Sequence, residues 1–473
     1  MHSRPSSSML CYLGNQHAIL SALRDLIEQA EQSIVLQMYL FAANGDQTLL
    51  LPREGAFPYA DTVADWLVEK KQRCPQLTVV VLLDTNTPAN PQLTRRKGVL
   101  IRQRLQQAGV LVLSANLFDT EFDRRPRWLS AMNFHLHHQQ VAESDWVEHQ
   151  NRWQALHNVE DHRKNLIIDG GRAGLLTSHN LFDPAFDWHE NMFWLGGKVA
   201  EQLWQQAMVA IRAALLLPQR LTETDRGLLS GLIADSVEPA SAQRKEPISP
   251  SGRPIPNYPL PLPPVQPALT ADPDCALLET RAIRGRIETL IRTAAIGDEL
   301  LLATAYFSDL PMLSALESAL SRGVRVRVLI DSLHALPLPT LPSWLTCSLV
   351  NHAVLCEAQS LQQRYRDLFQ LRIHQSHAGA MMHLKSVARL GQRPLLIAGQ
   401  ANFTPNSFSG AYLETDIETH SSVVIAAYAA HFEQLWSLPE SKPLLTPRGM
   451  LALLRIWLCS LLLWLFARAG LRP

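Results

Sequence analysis

The sequence predicts an α/β protein in which one strand–helix–strand unit occurs twice in tandem. Three observations carry that expectation. Two stretches share one order: Ser33-Ile34-Val35-Leu36-Gln37-Met38-Tyr39-Leu40-Phe41 ahead of Leu77 to Asp84, and Glu299 to Phe307 ahead of Val324 to Asp331. Each pair is followed by a histidine–x–lysine triplet, His162-Arg163-Lys164 and His383-Leu384-Lys385. A proline-rich stretch lies between the two sets. Strands alternating with helices argue for a mixed or largely parallel sheet flanked by helices in each half.

The elements follow in order. His17 to Ala30 reads as a helix, and the apolar run after it as a strand ending in tyrosine and a second aromatic. A polar helix-like stretch and a Val-rich strand closed by Asp84 complete the unit. In the second half Thr280 to Ala294 matches the first helix, Met312 to Arg322 the second, and Asp331 closes the Val-rich strand. The path from Asp84 to His162 is longer than that from Asp331 to His383, so the first half carries an insertion. It includes Trp128 to His138 and Trp146 to Trp153, an aromatic flap or membrane-contacting surface, or a purely structural addition. His135, His137 and His138 within it have no Asp, Glu or Cys at a spacing that completes a metal site, and none is expected.

Residues 238–273 hold Pro247, Pro250, Pro259, Pro261, Pro263 and Pro264. Proline blocks helix and interior strand, so this is expected to be a linker along the surface. The expected domains are 1–237 and 274–440, each long enough for its own core. Residues 441–473 form a hydrophobic C-terminal segment, in which Met450 to Ala467 is nearly all apolar, interrupted by Arg455 and carrying Trp457 and Trp464. Spanning a bilayer takes about 20 apolar residues. This stretch is expected to associate with a membrane by spanning it or lying in its interface; a buried terminal helix is the alternative.

Composition excludes less. Lys plus Arg and Asp plus Glu both total 43, so no basic surplus points to nucleic acid, and none is expected as a partner. Six scattered cysteines without C-x-x-C spacing fit a reducing compartment. The first residues lack an apolar signal core, so export is not expected.

Chemistry concentrates at the triplets. On a strand, His162 and Lys164 would share one face while Arg163 points away. The imidazole can attack phosphorus or carry a proton near neutrality, and the ammonium can hold a phosphate oxygen. Small-residue turns with asparagine follow both: Thr177-Ser178-His179-Asn180 and Gly399-Gln400-Ala401-Asn402. Two such sets brought together supply a nucleophile on one side of phosphorus and a general acid on the other, without a metal or cofactor.

In these residues the chain resembles the phospholipase D superfamily, whose signature is H-x-K-x4-D followed by a G-S/G-x-N turn, present twice. His162 to Asp169 matches the first part, and Thr177 to Asn180 the turn, with Thr for Gly. Glu190 stands where the family carries a glutamate that orients the partner histidine. The second copy departs: Leu390 takes the aspartate position, Gln400 the Ser or Gly position, and Glu414 or Glu418 is the downstream carboxylate.

The resemblance implies two tandem phospholipase D-like domains related by a pseudo-two-fold axis. It implies a catalytic set of His162, Lys164, Asp169, Asn180, Glu190, His383, Lys385 and Asn402, with Ser178, Glu414 and Glu418 near substrate. The motif aspartate mainly supports the loop, and the N-terminal histidine forms the phosphohistidine. A phosphatidyltransferase like bacterial cardiolipin and phosphatidylserine synthases is the first expectation, with a phospholipid substrate and a place on the cytoplasmic side of a bacterial inner membrane. A phospholipase D-type hydrolase, a phosphodiesterase or nuclease, and a non-catalytic membrane scaffold are the alternatives. The apolar C-terminus and neutral charge favour lipid over nucleic acid.

Overall fold

The computed structural model describes residues 8–43, 57–84, 98–114, 117–118, 158–215, 221–237, 270–333, 351–376, 380–409 and 412–444. The histidine-rich insertion, most of the proline-rich linker and the apolar C-terminal segment fall outside the described residues.

The first lobe runs β1 (Ser8–Leu13), α1 (Gln16–Gln29), β2 (Ser33–Met38), β3 (Phe41–Ala42), α2 (Tyr59–Arg73), β4 (Thr78–Leu83), α3 (Val99–Gln107) and β5 (Leu111–Ser114). Then come β6 (Leu117–Phe118), β7 (Asn158–Asp161), β8 (Lys164–Ile168), β9 (Ala173–Thr177), β10 (Leu181–Phe182), β11 (Met192–Gly196), α4 (Lys198–Leu215) and α5 (Glu223–Val237). The second lobe follows with β12 (Thr270–Asp272), β13 (Ala276–Glu279), α6 (Thr280–Arg292), β14 (Glu299–Thr304), α7 (Leu310–Ser321), β15 (Arg325–Asp331), α8 (His352–Arg364) and β16 (Phe369–His374). It closes with β17 (Lys385–Leu390), β18 (Leu395–Gly399), α9 (Pro405–Ser409), β19 (Tyr412–Leu413), β20 (Thr415–Thr419), α10 (Ser422–Ser437) and β21 (Ser441–Pro443).

The two eight-stranded sheets repeat one topology. The first has the order β12-β1-β11-β9-β8-β2-β4-β5, the second β13-β20-β18-β17-β14-β15-β16-β21. In each, three strands are parallel and the rest antiparallel, so both sheets are mixed. The register matches to the residue: Met38 lies opposite Lys164, and Thr304 opposite Lys385.

The lobes differ at their edges. The end of the linker turns back as β12 and pairs with β1 of the first sheet, and Asp272 there accepts from Thr419 Oγ1 and His420 N of the second lobe. Ser441–Pro443, expected to begin the membrane segment, is instead the edge strand beside β16.

Strands buried on both faces explain the unbroken apolar text. Val79, Val81 and Leu83 pack outward under α1, α2 and α3, while Val80 and Leu82 point into a core shared by both lobes. The second sheet has the same arrangement under α6, α7 and α8. Helices α4 and α10 line the shared core, so the lobes are packed together over their inner faces. Local sequence sets the helix ends: the side chains of Asn15, Asp309 and Ser421 each accept a backbone N–H of the first turn of α1, α7 and α10.

Candidate active site

Both motif triplets sit where a strand begins. Lys164 opens β8 and Lys385 opens β17, while the histidines lie just ahead of them rather than on the strand, as had been expected. The chain has left its own sheet at that point to join the other lobe. Tyr412 and Leu413 of β19 lie alongside Glu160 and Asp161 of β7, and His162 N donates to Leu413 O. Reciprocally, His189 bridges Met382, and His383 N donates to His189 O.

This exchange delivers each glutamate to the other lobe's histidine. Glu414 takes His162 Nδ1 at 2.9 and 3.0 Å; Glu190 takes His383 Nδ1 at 2.6 Å. All four side chains are buried. A carboxylate on Nδ1 fixes the tautomer and leaves Nε2 for chemistry. Each glutamate has a hydroxyl brace, Ser178 Oγ on Glu190 and Ser407 Oγ on Glu414 at 3.0 Å.

The lysines are fully buried, and each ammonium donates to the carbonyl of its own motif histidine. Burying an ammonium is costly, so two of them mark a place built for anionic charge. Burial lowers Lys385 to about 7, with Lys164 adding repulsion and Glu190 opposing it. Asn180 and Asn402 follow strands whose ends lie level with the motif lysines. Their Oδ1 atoms are buried and without a hydrogen-bond partner among the described residues.

The two histidine–glutamate pairs are electrostatically unlike. Burial lowers His383 to about 4, Glu190 working against that and Lys385 with it. For Glu190, burial favours the neutral acid, but His383, Lys385 and His179 outweigh it and hold the carboxyl near 2. Glu414 moves the other way: burial, with Asp416 nearby, pushes it well above the usual carboxylate range despite Lys164 and Lys385. The two glutamates are thus pushed in opposite directions, Glu190 towards its ionised form and Glu414 towards its neutral one.

Most of the expected residues meet here; Asp169, Ser178 and Glu418 are engaged with other protein groups. Asp169 sits at the far end of β8, about 16 Å along the strand from Lys164. Its carboxylate accepts from the backbone N–H groups of Glu31, Gln32 and Ser33, so it caps the turn into β2. Ser178 serves Glu190 rather than substrate. Glu418 lies four residues past Glu414 on β20 and is held by the guanidinium of Arg286.

The departures in the second motif have local explanations. At the turn into β14, Asp298 accepts from Ala295 N, and a side chain at Gly391 (φ +138°), next to Leu390, would collide with that carboxylate. Gln400 is a clamp: Nε2 donates to Lys164 O and Asn165 Oδ1 at 3.0 and 2.8 Å, while Oε1 accepts from Thr415 N. Asn191 mirrors it, accepting from Lys385 N and donating to Gly399 O.

Sequence reasoning missed Asn191, Ser407, Asp331 and the aromatic walls. Asp331 accepts from Met382 N, fixing the residue before His383. Two residues ahead of each glutamate stands an aromatic that packs on the other lobe's histidine, Tyr412 on His162 at 5.3 Å and Trp188 on His383 at 5.0 Å. That shared spacing was the available signal. Tyr39 closes the other side of His162 at 4.3 Å. Among the described residues no cluster of His, Cys, Asp and Glu has the arrangement of a metal site.

Two mixed sheets of one topology, with paired H-x-K motifs at their junction, give the chain the two-domain phospholipase D-like fold. Residues 287–436 match the family described as cardiolipin synthase, phospholipase D-like domain. Among solved structures, phosphatidylserine synthase of Haemophilus influenzae Rd KW20 is similar over 97% of this chain and 93% of its own, at 13% identity and a TM-score of 0.59. NucT from Helicobacter pylori aligns with 36% of this chain and 98% of its own, at 13% identity and a TM-score of 0.27. No curated protein matches the chain significantly.

Proposed function

We propose that the chain is a phosphatidyltransferase of phospholipid metabolism, similar in activity to cardiolipin synthase, working through a phosphohistidine. The observation that carries this is the reciprocal pairing of Glu190 with His383 and Glu414 with His162. It presents two oriented imidazoles to one buried, lysine-lined centre. The cardiolipin synthase description of the family matched by the second half favours a phosphatidyl group as cargo.

His383 Nε2 attacks phosphorus and forms the P–N bond while the bond to the leaving alcohol oxygen breaks, and His162 gives that oxygen its proton. An acceptor alcohol then loses its proton to His162, attacks phosphorus and displaces His383. Lys164, Lys385, Asn180 and Asn402 hold the non-bridging oxygens as charge grows there. The more complete first motif had favoured His162 as nucleophile. Burial favours the reverse, because it holds the His383 imidazole in its neutral, attacking form.

Expression in a bacterial host lacking its own cardiolipin synthesis, followed by lipid mass spectrometry, tests the reading. A new diphosphatidyl lipid is expected. Phosphatidate alone would assign the hydrolase; an unchanged lipid profile with intact nuclease activity would overturn the lipid reading. Among the described residues no helix is long and apolar enough to cross a membrane, so membrane attachment is proposed for Met450 to Ala467 on sequence grounds.

A further inference from the structure

The two halves of the site are not equivalent in the aromatic that covers each histidine. Trp188 packs edge-on against His383, with the rings at 65°. Its indole Nε1 is buried and has no hydrogen-bond partner among the described residues, although the side chain is only 3% exposed. An unpaired buried N–H is costly, because it has given up its bond to water. The ring is held there all the same: Trp188 N donates to Ala185 O, Trp188 O accepts from Gln16 Nε2, and the next residue bridges Met382. A donor kept unpaired in a rigid frame beside a reacting imidazole is in place for an oxygen that arrives with substrate.

The surroundings say which oxygen. Lys164, Lys385, Asn180 and Asn402 already serve the phosphate. Trp188 belongs instead to an apolar cluster with Phe182, Ala185, Leu333 and Met381 that draws on both lobes. A neutral donor in a hydrocarbon wall suits a neutral acceptor flanked by hydrocarbon, and in a glycerophospholipid that is the acyl-ester carbonyl. Resting on the phosphatidyl reading above, we propose that the Trp188 indole N–H is a specificity donor for an acyl-ester carbonyl oxygen of the lipid substrate. It would thereby distinguish ester-linked from ether-linked lipids.

The test compares diacyl and dialkyl phosphatidylglycerol of equal chain length in mixed micelles, using the full chain and Trp188→Phe. The wild-type protein is expected to favour the diacyl lipid by about tenfold in kcat/KM, the worth of one neutral hydrogen bond, and Trp188→Phe to bring that ratio to about one. A ring that served only to pack His383 would lower both rates and leave the ratio unchanged, which overturns the proposal. Equal wild-type rates overturn it without any variant. Wild-type protein that cleaves bis(p-nitrophenyl) phosphate but neither lipid overturns the phosphatidyl reading itself, and this proposal with it.

Discussion

Glu190→Gln probes the site at its most sensitive point. The carboxylate accepts His383 Nδ1–H on one oxygen and the Ser178 hydroxyl on the other. An amide fills the same space but has one acceptor oxygen. If that oxygen keeps Ser178, the NH2 group faces Nδ1, and the imidazole must move its proton to Nε2. That tautomer has no lone pair for phosphorus. Losing the charge also removes a charge-assisted bond of about 1.5–3 kcal/mol and deprives Lys385 of its strongest counter-charge. Together these predict a fall of about two to four powers of ten in kcat/KM, or about 3–5.5 kcal/mol at 1.36 kcal/mol per decade. The assay is single-turnover cleavage of a short-chain soluble diester, with thermal melting to show that the fold is kept. A folded variant within threefold of wild type would refute the idea that Glu190 sets the tautomer of His383.

Four further outcomes are expected. The kcat/KM profile should rise through about pH 4 as His383 loses its proton and fall through about pH 7 as Lys385 loses its own; Lys385→Arg should move only the basic limb, upward. A basic limb unmoved in that variant would assign it elsewhere. Mapping of the trapped adduct at alkaline pH, where the P–N bond survives, should find the phosphoryl group on His383, and finding it on His162 would restore the order expected from motif completeness. Asp169→Ala should lower the melting temperature, by about 2–4 kcal/mol of stability for the lost backbone caps, while the folded fraction keeps kcat within a few-fold, since the carboxylate binds only the turn into β2; a catalytic collapse at unchanged stability would contradict that. Removing Met450 to Pro473 should move the protein from the membrane fraction to the soluble one with activity on soluble diesters retained, and aggregation with loss of both would show that the segment packs against the lobes.

The repeat was legible because strands buried on both faces demand continuous apolar runs, and α1, β2, β4, α6, β14 and β15 fall where those runs and their flanking helices predicted. The motif residues were legible from chemistry. The cross-lobe geometry was less so. Glu414 and Glu418 are four residues apart, so alternation could not choose between them; Glu414 stands just ahead of β20 and Glu418 on it. Gln400 looked like erosion because a motif records residue types, whereas its role depends on the reach of a side chain to Lys164 O in the other lobe. His162 left the expected strand for a similar reason, since its backbone is spent on Leu413 rather than on the sheet it leads into. The strand Ser441–Pro443 was hidden by its nearness to an apolar stretch of different character.

The swapped glutamates make reactivity a property of the assembled pair. His162 and Glu414 are 252 residues apart in the chain, His383 and Glu190 193. A lobe that has folded ahead of its companion holds a histidine with no carboxylate and a carboxylate with no histidine, so a half-made chain cannot attack the phosphodiesters around it. The reciprocal arrangement acts as a two-key lock, with neither key able to turn before both halves have closed.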